Sequence, residues 1–235
     1  MPAHLLHGLV PSATPRSNSA PEHDLIYCAR FLALVSPAPP NLDNLPPTAL
    51  ADLALTHNAL LVAYCTRSTV LPMRFGAAFS STENLRRHLD QSAPRHVAAL
   101  QTLARLDEYI LRLQIIGDPP APTLPVGSGR DFLARGRSLR DQRLSLTERR
   151  RALARTALAD LEPISHQIEA AGTPRSERLL DIAILLNKTR RDLLATLAAR
   201  VAEQAPALGL ELIVTGPWPA YSFHAHALEE VCNGA

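Results

Sequence analysis

Apolar and polar positions along this chain change period repeatedly, and the changes predict strands and helices that alternate. Residues 4–10 form a short apolar run that can open a sheet, with Gly8 at a bulge or a close contact. Residues 11–23 carry three prolines among small polar residues and read as a loop. Residues 24–36 supply a second strand, interrupted enough to bend. The Pro-rich stretch 37–47 leads into a helix over about 48–64, where Leu50, Leu53, His57, Leu60, Leu61 and Tyr64 share one face. In residues 69–79, Leu71, Met73, Phe75, Ala77 and Phe79 alternate as the buried face of a strand. Pro72 and Arg74 then point the other way, and the proline argues for an edge position or a bulge. Ser80 and Glu83 make an S-x-x-E capping box for the next helix. A further helix over about 93–106 buries Val97, Leu100 and Leu103.

The second half repeats the alternation with a longer helix. Tyr109, Leu111, Leu113 and Ile115 describe a strand over 108–116, and the proline-rich segment 117–127 is a crossover. Phe132, Leu139, Leu146 and Leu153 recur every seven residues, and Leu161, Ile164 and Ile168 extend the stripe. This predicts a helix over about 130–171, either one bent at Pro163 or two in succession, with Ser145 and Glu148 as a second capping box. Gly172 and Pro174 end it. Leu180, Ile182, Ile184 and Leu186 mark another strand, followed by a helix over about 190–205 and a last strand over 209–215. The fold class is α+β in two domains, 1–106 and 107–223, with a tail over 224–235.

The strand beyond residue 209 runs into Val-Thr-Gly-Pro-Trp-Pro-Ala-Tyr-Ser-Phe at 214–223. Prolines on both sides of Trp218 stiffen the backbone and hold it nearly extended. Only 4% of the chain is aromatic, so three rings within six residues set this segment apart. Two readings stand: a clamp on its own domain, or a rigid aromatic anchor for a partner built from Trp218, Tyr221 and Phe223. Arg74 likewise is either paired within the layer covering its sheet or presented to a partner together with Pro72.

The pair TVLPMRFG at 69–76 and TGPWPAYSF at 215–223 resembles the gas vesicle GvpL/GvpF family, as do His57-Asn58 and the Ser-Gly-Arg at 128–130. The similarity runs from about residue 4 to Phe223. It implies two ferredoxin-like-variant domains with the long helix in the second. It also implies an accessory or minor structural role in gas vesicle assembly, binding the major shell protein and preventing its aggregation during nucleation, alongside other accessory proteins.

Composition narrows the alternatives. The chain has 235 residues, a formal net charge of +2 and 46% hydrophobic residues, which suits a globular protein with a substantial core and favours neither nucleic acid nor an anionic membrane. Cys28, Cys65 and Cys232 are odd in number and lack metal spacing, which fits a reducing compartment. No secretion signal is expected at the start and no uninterrupted apolar run approaches about 18 residues, so a cytoplasmic protein is expected. No phosphate-binding glycine loop, nucleophile elbow or dinucleotide fingerprint occurs, and neither an enzyme nor a cofactor is expected. His224-x-His226, and His4 with His7, lack the companions of a metal site, whereas His57 reads as a hydrogen-bonded core histidine.

Between Arg130 and Arg155 stand nine arginines against Asp131, Asp141 and Glu148. That run is a solvated helix face, a docking face for an acidic protein surface, or a nucleic-acid stripe lacking aromatic platforms. The alternatives to the gas vesicle role are accordingly a ferredoxin-like small-ligand regulator or enzyme, and an RNA-binding module using the arginine-rich helix.

Overall fold

Two β-sheets organise the chain, one in each of two compact units. Unit 1 runs to Glu108 and resumes at Pro217, and unit 2 is Tyr109–Gly216. The computed structural model describes residues 3–28, 30–119, 129–173 and 175–223, with side chains for all of these except 129–136. Gly127, Ser128, Pro174, Cys232, the His224-x-His226 pair and the 224–235 tail lie outside the described residues.

Unit 1 opens with β1 (His4–Pro11), buried from His4 through Val10. β2 (Asp24–Cys28) and β3 (Phe31–Pro37) form an antiparallel hairpin with Cys28 opposite Phe31. The bent strand expected over 24–36 is therefore two strands. β2 lies at the sheet edge and exposes Asp24 and Tyr27, while β3 is inside the sheet and buried from Phe31 to Val35. α1 (Pro47–Cys65) packs Leu60, Leu61 and Tyr64 against Val10, Leu32, Leu34 and Val70. Burial of such side chains contributes roughly 1.5–3 kcal/mol each. The first turns of α1 depart from expectation at Leu50, which is 42% exposed; Leu55, off the expected face, is 68% exposed. By length and composition alone α1 could cross a membrane, although Asp52, Thr56, His57 and Asn58 interrupt it and its last turns pack inside unit 1.

The strand expected over 69–79 is broken into β4 (Leu71–Pro72) and β5 (Ala78–Phe79), both paired with β1. The sheet order is β2-β3-β1-β4, with β5 also on β1. α2 (Thr82–Gln91) and α3 (Ala93–Leu103) follow. Ser81, rather than Ser80, caps α2 by accepting from the Asn84 amide at 3.2 Å, and Glu83 instead pairs with Arg87 one turn on. In α3, His96, Ala99, Leu100 and Leu103 are buried and Val97 is half-buried.

Unit 2 takes over within β6 (Leu106–Ile115) and continues with α4 (Gly129–Leu161), β7 (Ser165–Ala170), β8 (Arg178–Asn187), α5 (Arg191–Gln204) and β9 (Leu210–Trp218). Its sheet order is β7-β8-β6-β9. The helix expected over about 130–171 stops at Leu161. Pro163 lacks an amide donor and pushes the residue before it out of helical angles. The chain turns there, and Ile168 lands opposite Ile184 in a β7–β8 hairpin. Ser145 and Glu148 fall inside α4 and cap nothing, Glu148 pairing with Arg155 instead. The domain expected over 107–223 also changes at its end, because the chain rejoins unit 1 from Pro217.

One buried cation closes unit 2. Arg150 on α4 donates from Nε to the Leu208 carbonyl at 2.7 Å and from Nη2 to the Gly117 carbonyl at 2.6 Å, and it pairs with Asp118 at 3.0 Å. It thereby satisfies the backbone where β6 ends and where β9 is about to begin. Arg150→Ala is expected to lower the unfolding free energy by at least about 2 kcal/mol, since buried acceptors lose a charged donor. Arg155→Ala, at an exposed pair, is expected to leave urea unfolding unchanged; equal midpoints for the two variants would contradict this account.

Candidate functional site

The two segments singled out in the sequence meet in unit 1, and a bulge and a turn explain how. In β1, His7 is the extra residue where pairing with β3 shifts between Leu6 and Gly8. Bulges re-aim the side chain they carry. His7 turns toward His57 on α1, with Nδ1–Nδ1 3.0 Å apart, and its Nε2 meets Ser36 Oγ at 2.8 Å. Next to it, Gly8 must be glycine: a Cβ there would stand 2.7 Å from Leu61 Cδ2 and 3.0 Å from the Leu71 carbonyl oxygen. The missing side chain lets α1 and β4 both close on β1.

Opposite β1, the edge strand loops out between Pro72 and Ala78. Met73 donates to the His7 carbonyl at 2.9 Å, and the Leu6 amide donates to Ala77 at 2.8 Å. Between these bonds the Ala77 amide closes a turn onto the Arg74 carbonyl at 3.2 Å, with Gly76 at φ +84°. Positive φ at the third turn position favours glycine. The Arg-Phe-Gly part of the motif thus encodes a turn, and Phe75 sets its ring edge-on to His57 at 5.5 Å. Leu71 is buried as expected, whereas Met73 and Phe75 are only half-buried because they leave the strand and line a groove.

The C-terminal segment supplies the other wall. Buried Glu108 accepts from the Ser222 amide at 3.0 Å and from its hydroxyl at 2.8 Å, which latches 217–223 onto unit 1. Tyr221 then donates to Asn58 Oδ1 at 3.0 Å and lies 6.5 Å from the His57 ring. The resulting groove has a volume of about 510 Å³ and a mostly apolar lining of Ala54, His57, Asn58, Pro72, Met73, Arg74, Phe75 and Tyr221.

Of the residues expected to face a partner, Pro72, Arg74 and Tyr221 line this groove. Pro72 is itself buried on the edge strand, so it shapes the wall. Arg74 is exposed and forms no ion pair among the described residues, so the paired reading finds no carboxylate there. Trp218 is half-buried and lies outside the groove lining. Phe223, 1% exposed, belongs to the core and is corrected from the contact set. His57 is a hydrogen-bonded core histidine that also reaches the groove. Ala54, Met73 and Phe75 as wall residues escaped the sequence pattern, because strand alternation assigned Met73 and Phe75 to a core. Helical spacing placed His57 on the buried face, whereas Asn58 was visible only through the family resemblance.

Ser36, His7 and His57 form a hydrogen-bonded chain with the distances of a proton relay. Burial, then the neighbouring His57 and His23, push His7 down to about 4, which makes it a weak base at neutral pH. Burial lowers His57 as well and raises Tyr221. Ser36 is not among the groove-lining residues. The chain therefore fits a role in holding α1 to β1. No group of three or more His, Cys, Asp or Glu suited to a metal occurs among the described residues. His4 instead bonds Thr82 Oγ1 at 2.9 Å.

These features define a two-unit α+β protein with an apolar surface groove. The family model described as gas vesicle synthesis protein GvpL/GvpF matches residues 22–225, and the chain belongs to that family. Gas vesicle protein L of Streptomyces sp. (strain CB03234) is 30% identical over 200 residues, 77% of this chain and 72% of that protein. The crystal structure of GvpF from Anabaena sp. PCC7120 superposes with a TM-score of 0.71 at 14% identity, over 95% of this chain and 96% of the other. GvpF from Microcystis aeruginosa gives 0.69 at 12% identity, over 95% and 99%.

Glu108→Ala is expected to cost about 1–3 kcal/mol of stability by removing the acceptor of the half-buried Ser222 amide. Ser222→Ala, which keeps that amide bond, is expected to cost less; urea titration of both checks the order. Acid acts through His7, whose folded value lies below its unfolded 6.5. The unfolded chain binds the extra proton, so stability is full above pH 6.5 and falls as pH drops toward 4, by roughly 3 kcal/mol in all. His7→Gln is expected to flatten that part of the stability–pH curve, and an unchanged slope would contradict it.

Proposed function

We propose that this chain is a non-catalytic accessory protein of gas vesicle assembly, and that the unit 1 groove takes an apolar segment of the gas vesicle shell protein. The observation that carries the proposal is the convergence of both family-like segments, 69–76 and 215–223, on one mostly apolar groove, with the exposed Arg74 in its lining forming no ion pair among the described residues. A shell subunit before assembly exposes apolar surface and unpaired strand edges, which aggregate unless covered. A groove bounded by an edge strand, with the exposed Leu50 and Leu55 on the helix that forms its other side, offers such cover. Other gas vesicle accessory proteins are the expected further partners, and the cytoplasm and the vesicle itself the expected locations.

Unit 2, with strand-helix-strand-strand-helix-strand order and sheet order β7-β8-β6-β9, is read as a ferredoxin-like variant. Unit 1 is read as a more divergent one, its helices following three strands. Such scaffolds host many functions, so the role rests on the groove and the family, not on the fold.

Deleting the gene is expected to abolish or severely deplete buoyant vesicles. Restoring it as Ala54→Asp or Arg74→Glu is expected to leave the depletion largely in place and to reduce co-purification of the shell protein at least about tenfold. Both positions are far enough from the core for the variants to fold, which thermal melting checks. A deletion strain that floats with a normal vesicle complement would overturn the proposal.

A further inference from the structure

The groove leaves one surface of the molecule unexplained, the front part of α4 in unit 2. From Leu153 onward α4 is anchored, with Leu153, Ala154, Ala157 and Leu161 in the unit 2 core. Over residues 137–149 it packs against little: Ser138 and Leu146 are half-buried and every other side chain is exposed. Four of those exposed residues are Arg137, Arg140, Arg143 and Arg149, against Asp141 and Glu148. Arg137, Arg140 and Arg143 form no ion pair among the described residues. Two large apolar side chains stand between them, Leu139 at 36% exposure and Leu144 at 62%. Leu139, Arg140, Arg143, Leu144 and Thr147 line a concavity of about 360 Å³.

We propose that this face docks an acidic amphipathic helix of a partner protein. Residues three and four apart form one stripe along a helix, so Leu139, Arg143 and Leu146, with Arg140, Leu144 and Thr147 beside them, offer a ridge and groove that a second helix can follow. The leucines supply apolar contact, and the guanidinium forks on either side match carboxylates in geometry and charge. A nucleic acid is the poorer fit, because bases stack on aromatic rings and residues 137–149 hold none. The proposal is independent of what occupies the unit 1 groove.

Fluorescence anisotropy on the full chain tests it with three labelled probes. The first is a synthetic helix-forming peptide of about 20 residues carrying a leucine stripe flanked by glutamates. The second is the same peptide with every glutamate replaced by glutamine, and the third is an oligouridine of about 20 nucleotides. The glutamate peptide is expected to bind at least about tenfold more tightly than the glutamine peptide. R140E/R143E and L139S/L144S are each expected to weaken it by a similar factor, with melting temperatures unchanged because all four positions are exposed. Equal binding of the two peptides to the wild-type chain would overturn the proposal without recourse to any variant. So would oligouridine binding more tightly than the glutamate peptide, or glutamate-peptide affinity that ignores the leucine substitutions.

Discussion

The absence of a side chain at Gly8 is the constraint on which unit 1 turns. β1 is sandwiched between β3 and the broken edge strand, and it is buried along nearly its whole length. At Gly8 the Leu61 methyl and the Leu71 carbonyl approach so closely that any Cβ would collide with them. One residue earlier, the bulge at His7 directs an imidazole at α1 and ties helix to sheet by a hydrogen bond rather than by packing alone. Close approach and bulge together hold α1 and the edge strand near β1, and both of those elements line the groove.

The remaining wall comes from the far end of the chain. Tyr221 lies 163 residues from Asn58 in sequence, and the phenol–amide bond between them exists only because the chain leaves unit 2 and is caught by Glu108. A buried carboxylate accepting both a backbone amide and a hydroxyl is well satisfied, and it holds the proline-stiffened segment at low entropic cost. The same latch sends Phe223 into the core. The aromatic segment therefore acts as a clamp on its own unit, and Tyr221 within it lines the groove.

α4 divides along similar lines. Its second half is held by leucines, small alanines and the Arg150 clamp; its first half presents arginine and leucine to solvent. Family membership places the whole in gas vesicle biology. Each unit carries a concave surface feature: an apolar groove in one, a cationic leucine-bearing stripe in the other.

The periodicity of the sequence by itself determined most helices and strands, because amphipathic spacing reports directly which face is buried. The family was legible separately, through the resemblance of the contiguous strings 69–76 and 215–223 to a known family, which the family model bears out. Three matters were decided only by tertiary structure. Alternation at 71–79 is the same for a continuous strand and for one broken by a turn, and hydrogen bonding to β1 selected the turn. The stripe through Ile164 and Ile168 satisfies helix and strand alike, and pairing with β8 chose the strand. The return of 217–223 to unit 1 depends on Glu108, a charged residue whose partner lies 114 positions away, and no local pattern carries information over that distance.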